Sequence, residues 1–141
     1  MGYTHYWTYK KVASDLTISK VLDEIKELLE INNLMKLITS EDLSTIPIFN
    51  KELILFNGIE RFACDIFLFD FTEPNEYIFC KTNRKPYDII VSLVLLSLSN
   101  NIHEFTFSSD GTLEDWNFAI YTYEKYIRPY ERNDIINNLD S

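Results

Sequence analysis

Glycine and proline are scarce in this chain, with three glycines and four prolines among 141 residues. This composition excludes collagen-like structure and argues against disorder. Cysteine is also scarce: Cys64 and Cys80 form no CxxC pair, and no second pair exists to complete a zinc site. We therefore expect two reduced core thiols in a cytosolic protein, with a disulfide left open by sequence alone.

Cations are outnumbered, since 13 Lys and Arg face 22 Asp and Glu and give a formal net charge of −9. A broad basic face is needed to bind a nucleic-acid polymer or an anionic membrane, so we expect neither partner. The longest apolar stretch, residues 89–98, is about half a membrane span and is interrupted by Ser92 and Ser97. The first residues lack a signal-peptide pattern. These absences predict a cytoplasmic protein.

Aromatic residues are abundant, with nine Tyr, ten Phe and two Trp. Together with a hydrophobic content of 46%, they indicate a well-packed globular core. A chain of 141 residues is long enough to bury one such core without disulfides or metals. We predict a single domain over residues 1–141, with residues 129–141 as a frayed polar tail.

The first half of the chain alternates between strand and helix signals. Residues 3–9 alternate in character and predict a strand. A helix is predicted from an N-cap at Thr17 to about Ile38, because apolar residues recur at helical spacing. A connection over residues 39–51 follows. A segment at 52–56 leads to Asn57-Gly58, which indicates a tight hairpin turn, and a short segment near Phe62 and an alternating strand at 65–71 follow.

The second half begins with a predicted strand at 77–81 and a helix from Pro86 to about Asn100 that is apolar nearly all round and therefore buried. A strand at 102–107 leads to a turn in which Gly111 would take a positive φ. Thr112, with an acid three residues later, caps the last helix. The order strand–helix–strands–helix–strand–helix predicts an α+β fold with about three helices packed on a mostly antiparallel sheet.

A basic run at residues 80–88 is the main functional signal. Lys81, Arg84 and Lys85 lie within five residues of one another in a strongly acidic chain. Pro86 suits the first turn of the helix that follows. Free N–H groups at a helix start, next to these cations, favour a small anion such as a phosphate or carboxylate, although a solvated basic turn is the alternative.

Other side chains extend this candidate site. Thr82 and Tyr87 could donate hydroxyl hydrogen bonds to the same ligand. Tyr3, His5 and Trp7 share one face of the first strand. These three rings either pack in the core or line a pocket and stack on a flat ligand.

Acids and a thiol near these motifs have competing interpretations. Asp110, in Ser-Asp-Gly, is a turn residue or a carboxylate that binds a ribose or amine. Cys80 could be a nucleophile beside cations, but a buried structural thiol is the better interpretation. Asp88 is better explained as a helix-start acid than as a base. No catalytic, cofactor or metal signature is present, so we predict no catalytic residue, no cofactor and no metal.

The Gly2–Trp7 start, the Cys80–Asp88 run and the Ser109–Gly111 turn occur in an order that resembles an uncharacterised family of small proteins from bacteria and their phages. Members begin Gly-Tyr-Thr-His-Tyr-aromatic and carry Cys-Lys-Thr-x-Arg-Lys-Pro-Tyr-Asp and Ser-Asp-Gly downstream. The resemblance spans nearly the full length and implies that the three motifs form one shared site. Its phage members imply a counter-defence role in the host cytoplasm, namely trapping of a nucleotide immune signal.

We therefore expect a non-catalytic binding protein for a small phosphate-bearing, nucleotide-derived ligand of the cyclic nucleotide or cyclic ADP-ribose type. The first alternative is a hydrolase or transferase that acts on such a ligand, with His5 as general acid/base and Asp110 or Asp88 as its partner. The second is a protein-interaction module with an aromatic surface. The aromatic excess suits a homo-oligomer, and the sequence leaves the oligomeric state open.

Overall fold

The computed structural model describes residues 2–40 and 46–139 of the chain. The elements are β1 (Thr4–Tyr9), α1 (Asp15–Leu29), a 3-10 helix (Ile31–Leu37), β2 (Ile38–Thr39), β3 (Ile48–Phe49), β4 (Leu53–Gly58), a 3-10 turn (Glu60–Phe62), β5 (Phe67–Asp70), β6 (Asn75–Lys81), α2 (Asp88–Asn101), β7 (Phe105–Ser109), α3 (Leu113–Tyr126) and α4 (Asn133–Ile136). This is an α+β fold, as predicted. The described ranges hold four α-helices where about three were expected.

The β layer of the described ranges consists of two antiparallel sheets. The first has the strand order β6-β1-β7, so the first strand of the chain lies between two strands that come much later. In the second sheet β4 pairs with β2, β3 and β5. Alternation along β1 turns His5, Trp7 and Tyr9 inward and leaves Tyr6 exposed.

The centre of the fold is α2, which packs against α1, α3 and β7. Ten successive residues, Ile90 to Ser99, are buried, which confirms the prediction from its all-round apolar sequence. Ser97 is satisfied there by a hydrogen bond to the Glu24 carboxylate at 2.9 Å. No helix in either described range is long and apolar enough to span a membrane.

The predicted bounds of the first helix were wrong at both ends. Its N-cap is Ser14, whose side-chain oxygen accepts from the Thr17 N–H at 3.2 Å, so Thr17 lies inside the helix. The α-helix ends at Leu29, not near Ile38. Asn32 and Asn33 have φ values of 48° and 60°, and this left-handed backbone breaks the helical path.

The predicted tight turn at Asn57-Gly58 was also wrong. Both residues lie inside β4, and the chain returns to β5 only after residues 59–66. Gly58 is needed here for space, because an added Cβ would lie 2.2 Å from the Phe62 carbonyl oxygen. The predicted connection over 39–51 contains β3, and residues 41–45 of it lie outside the described residues.

Residues 129–139 are packed against the domain instead of fraying; residues 140 and 141 of the predicted tail lie outside the described part. They contain α4, with Ile135 buried against the core. Arg132 attaches the segment, because its guanidinium donates to three carbonyl oxygens, those of Ser99, Ile102 and Phe105. The sequence predicted a frayed tail because an arginine that binds backbone carbonyls cannot be distinguished by sequence from a solvated arginine.

Candidate functional site

The position of β1 brings the three sequence motifs together. The strand register places His5 beside Cys80 of β6 on one edge and beside Ser109 of β7 on the other. The chain just before β1 continues this contact, because the Tyr3 carbonyl accepts from the N–H groups of Thr82 at 3.0 Å and Asn83 at 3.1 Å. The three motifs thus meet at one end of the sheet, although the first and second are about 75 residues apart in sequence and the second and third about 25.

His5 lies at the centre of this meeting point and is completely buried. Its Nε2 lies 2.7 Å from Asp88 Oδ1, and its Nδ1 lies 2.7 Å from Ser109 Oγ. Asp88 Oδ1 also accepts from the Thr82 hydroxyl at 2.5 Å. A carboxylate only accepts, so Nε2 donates to Asp88, and Nδ1 shares its hydrogen bond with Ser109. Each ring nitrogen therefore has a partner.

The Ser-Asp-Gly turn packs closely against this cluster. Gly111 has no positive φ, so the predicted reason for the glycine was wrong. The actual reason is close packing, because a Cβ on Gly111 would lie 2.1 Å from the Tyr3 hydroxyl oxygen. Ser109 Oγ accepts from the Gly111 N–H at 2.9 Å as well as contacting His5. The glycine allows Tyr3 to reach the turn.

Arg84 is the prominent exposed group of the site. Asn83 and Arg84 have φ values of 56° and 60°, and the Lys85 N–H donates to the Thr82 carbonyl at 3.0 Å, which are features of a type I′ turn. The Arg84 guanidinium lies 4.0 Å from the centre of the Tyr3 ring. Arginine rarely adopts this backbone conformation, so the surroundings hold it there.

The same guanidinium also forms an ion pair. Its Nη1 lies 3.0 Å from Asp115 Oδ1, and the hydrogen bond from Arg84 lowers the pKa of Asp115. The predicted capping box is confirmed, because Asp115 and Thr112 exchange their hydrogen bonds at the start of α3. Burial, followed by the negative charges of Asp88 and Asp115, raises the pKa of Tyr3 to about 12. Tyr3 is therefore a neutral platform for the guanidinium.

The start of α2 differs from the prediction. Pro86 precedes the N-cap residue Tyr87, and the helix begins at Asp88, so Pro86 is not in its first turn. The cause is a tight turn in which the Asp88 N–H donates to the Lys85 carbonyl at 2.8 Å. Of the other two predicted cations, Lys81 is exposed and Lys85 is half-buried.

Some predicted ligand-binding side chains lie in the interior. Trp7 is 2% exposed and packs on Phe67, with ring centres 5.0 Å apart. Tyr87 is fully buried, and its hydroxyl donates to the Asp65 carbonyl at 2.6 Å. Burial raises the pKa of Tyr87 strongly. The positions of Trp7 and Tyr87 favour core packing, and Thr82, also fully buried, serves the Asp88 carboxylate.

Asp110 faces away from the His5 cluster. Its carboxylate accepts from the backbone N–H of Thr4 at 3.0 Å and from the hydroxyl of Tyr6, an outward-facing residue of β1, at 3.3 Å. Of the two acids considered as partners of His5, the structure therefore places Asp88 against the imidazole and not Asp110. Sequence reasoning missed Ser109 and Asp115 as members of the site. Ser109 was within the quoted turn motif, but a serine there reads as turn chemistry.

Cys80 is a buried thiol, and burial raises its pKa to about 12. Nearby cations were considered as a reason for reactivity, but burial is the dominant effect. The folded state favours the protonated thiol, so this contribution to stability is complete below the usual pKa of 9.0 and is lost as pH rises toward 12.

We therefore expect the free energy of unfolding to fall between pH 9 and about 12, and to fall less steeply in a Cys80→Ala variant. Urea unfolding at several pH values measures both slopes. Rapid labelling of native wild-type Cys80 by a thiol reagent at neutral pH would contradict the buried assignment.

Comparison of this chain with protein-family models, with curated proteins and with solved structures finds no match.

Proposed function

We propose that the protein binds a small phosphate-bearing, nucleotide-derived ligand through the turn that carries Arg84. The observation that carries this proposal is the strained and supported placement of Arg84. A non-glycine residue in the left-handed region costs about 1–3 kcal/mol and persists where its surroundings impose it, often at ligand sites. Here Tyr3 and Asp115 hold a guanidinium whose side chain remains 60% exposed.

The chemistry of this turn suits a phosphate. A guanidinium can donate two parallel hydrogen bonds to phosphate oxygens, and a lysine adds charge without fixing geometry. Lys85 follows Arg84 on the same turn, and Lys81 ends β6 just before the turn; both supply such charges. Because the protein as a whole carries a charge of −9, this local patch favours a small anion over an extended one. A bound phosphate would replace the Asp115 carboxylate on Arg84.

The arrangement of His5 supports binding without turnover. His5 is fully buried and both of its nitrogens are engaged. Ser109 Oγ is held by the Gly111 N–H as well. These groups form a rigid support for the turn. Sequestration requires slow release of the ligand and no catalytic step. Combined with the family resemblance, this arrangement favours a role in trapping a cyclic nucleotide or a cyclic ADP-ribose isomer.

A second candidate function is a hydrolase or transferase that acts on the same ligand. The contacts that favour it are Ser109 Oγ to His5 Nδ1 and His5 Nε2 to Asp88, both at 2.7 Å. In this arrangement His5 would take the Ser109 proton at Nδ1 while Asp88 orients the ring, which is the logic of an activated serine.

One experiment separates the two candidates. The purified protein is titrated by calorimetry with cyclic AMP, a cyclic dinucleotide, ADP-ribose and cyclic ADP-ribose. Each complex is then denatured, and the released small molecule is identified by mass spectrometry. Release of the intact compound supports sequestration, and release of an altered compound supports the enzyme. Failure of every compound to bind contradicts both.

The double variant Arg84→Ala/Lys85→Ala is expected to weaken the binding of whichever compound binds by at least about tenfold. Each lost charge-assisted hydrogen bond should weaken binding by about 1.5–3 kcal/mol. The fold should survive, because the Arg84 side chain is 60% exposed and an exposed ion pair contributes at most about 1 kcal/mol to stability. Calorimetry measures the affinity, and thermal unfolding checks the fold.

The matched control for this test is Lys10→Ala/Lys11→Ala, which removes two exposed cations at the opposite end of β1. It changes the net charge by the same amount as the double variant. If the control weakens binding as much as Arg84→Ala/Lys85→Ala does, the effect is one of overall charge and the proposed location is wrong.

A further inference from the structure

A groove of about 400 Å³ crosses the outer face of the three-stranded sheet. It lies on the opposite side of β1 from His5, because neighbouring residues of a strand point to opposite faces. Tyr6 and Thr8 of β1 line it, with Thr106 and Ser108 of β7. The volume lies within the range of small-molecule pockets in proteins.

Unused hydroxyl groups form the floor of this groove. The strand register places Thr8 directly opposite Thr106 and Tyr6 directly opposite Ser108. Within residues 2–40 and 46–139, the hydroxyls of Thr8, Thr106 and Ser108 make no hydrogen bond to another side chain or to the backbone. Each can donate one hydrogen bond and accept others, so the floor can bind a polar ligand.

Aromatic rings stand at the β1 and β6 side of the groove. Tyr77 of β6 is 85% exposed and has a φ of 58°, at the point where the register between β1 and β6 shifts. A tyrosine in the left-handed region is an outlier, and it presents a large ring to solvent. Tyr6 is held by the hydrogen bond from its hydroxyl to Asp110 at 3.3 Å. Both rings line the groove.

The groove lacks the cations that the ligand class proposed for Arg84 would need. No lysine, arginine or histidine is among the described residues that line it. On the α4 side it is bordered by Asp134, an acid, and by Asn138, an amide. The guanidinium of Arg132 is already committed to the Asp134 carboxylate by two hydrogen bonds of 3.0 Å, so the described lining offers a phosphate no cation.

We infer that this groove is a second binding site, for a neutral ring that bears several hydroxyl groups. Such a ring is a sugar, either free or as the ribose of an uncharged nucleoside. Its apolar face would stack on Tyr77, and its hydroxyls would exchange hydrogen bonds with Thr8, Thr106 and Ser108. This inference does not depend on the function proposed for Arg84.

The test follows the backbone amide signals of Thr106 and Ser108 by nuclear magnetic resonance during titration with maltose or adenosine. AMP is the charged counterpart of adenosine. At least one uncharged probe should shift these signals in a saturable manner at millimolar concentration, and AMP should shift them less than adenosine does. A response to maltose alone assigns a free sugar, and one to adenosine assigns a nucleoside.

Variants on β6 sharpen this test. Tyr77→Gly removes the ring and relieves the left-handed backbone, so the protein should remain as stable as wild type or become more stable, while binding weakens at least tenfold. Phe79→Ala is the matched control, because Phe79 is 60% exposed on the same strand and does not line the groove. It should bind as wild type does, and so should Arg84→Ala.

Three results would overturn the inference. The first is the absence of a saturable shift with either uncharged probe. The second is equal loss of binding in Tyr77→Gly and Phe79→Ala. The third is AMP binding at the Thr106 and Ser108 signals as strongly as adenosine. None of these outcomes bears on Arg84, whose ligands are anionic, so failure here is distinguishable from failure of the proposed function.

Discussion

His5→Ala is expected to lower the free energy of unfolding by about 3–5 kcal/mol, the range for removal of a large buried ring. The imidazole fills space between Tyr3 and Trp116, whose ring centres lie 5.1 Å and 5.2 Å from its own. Its removal also withdraws a hydrogen-bond partner from Asp88 and from Ser109, which adds to the cost. Urea denaturation at neutral pH measures this loss.

The control for this prediction is His103→Ala, because His103 is exposed and is the only other histidine. That variant should stay within about 0.5 kcal/mol of wild type. A His5→Ala protein as stable as His103→Ala would show that the contacts of His5 contribute little to the fold. The structural frame assigned to it beneath the Arg84 turn would then be wrong.

Gly111→Ala is expected to destabilise the protein by about 3 kcal/mol, at the upper end of the cost of overpacking. The new methyl group would lie 2.1 Å from the Tyr3 hydroxyl oxygen and 3.0 Å from Tyr3 Cζ. Tyr3 is 6% exposed and cannot simply swing into solvent. A displaced Tyr3 would no longer support the Arg84 guanidinium, so anion binding should weaken together with stability.

Tyr3→Phe tests this mechanism, because it removes the oxygen with which the new methyl group collides. The double variant Tyr3→Phe/Gly111→Ala should therefore be more stable than Gly111→Ala alone, with a coupling energy of about 1 kcal/mol or more. Gly2→Ala is the control, since its added Cβ meets only the flexible end of the Lys81 side chain. Strictly additive effects of Tyr3→Phe and Gly111→Ala would refute the collision.

Periodicity predicted the parts of the fold that depend on local patterns. The α+β class and the burial of α2 follow from side-chain alternation and from an apolar sequence, and both were confirmed. The Thr112–Asp115 capping box was confirmed for the same reason, because its partners are three residues apart. Features that depend on contacts distant in sequence were not predictable. Arg132 finds its carbonyl partners 27 to 33 residues away, and no local pattern distinguishes such an anchor from a surface arginine.

The residues of the candidate site also fall into those that the sequence could predict and those that it could not. The basic turn and the first strand could be selected from residue types, and the structure places Tyr3, His5 and Arg84 together. Their partners Ser109 and Asp115 come from β7 and α3, and only the strand order β6-β1-β7 reveals the contact. The roles of Gly58 and Gly111 were also not predictable from sequence. Both were assigned to turn geometry, but each leaves space for a neighbour that sequence cannot identify.

The central position of β1 also determines the order in which the molecule can fold. Neither edge of β1 can pair until later residues are present, because β6 begins 66 residues after Tyr9 along the chain and β7 begins 96 residues after it. During synthesis the segment with Tyr3, His5 and Trp7 therefore lacks its strand partners until β6 and β7 have been made. Contacts of such long sequence separation slow folding, since loop closure precedes any gain from pairing. We therefore expect β1 to be paired late in folding, and the site around His5 to form with it.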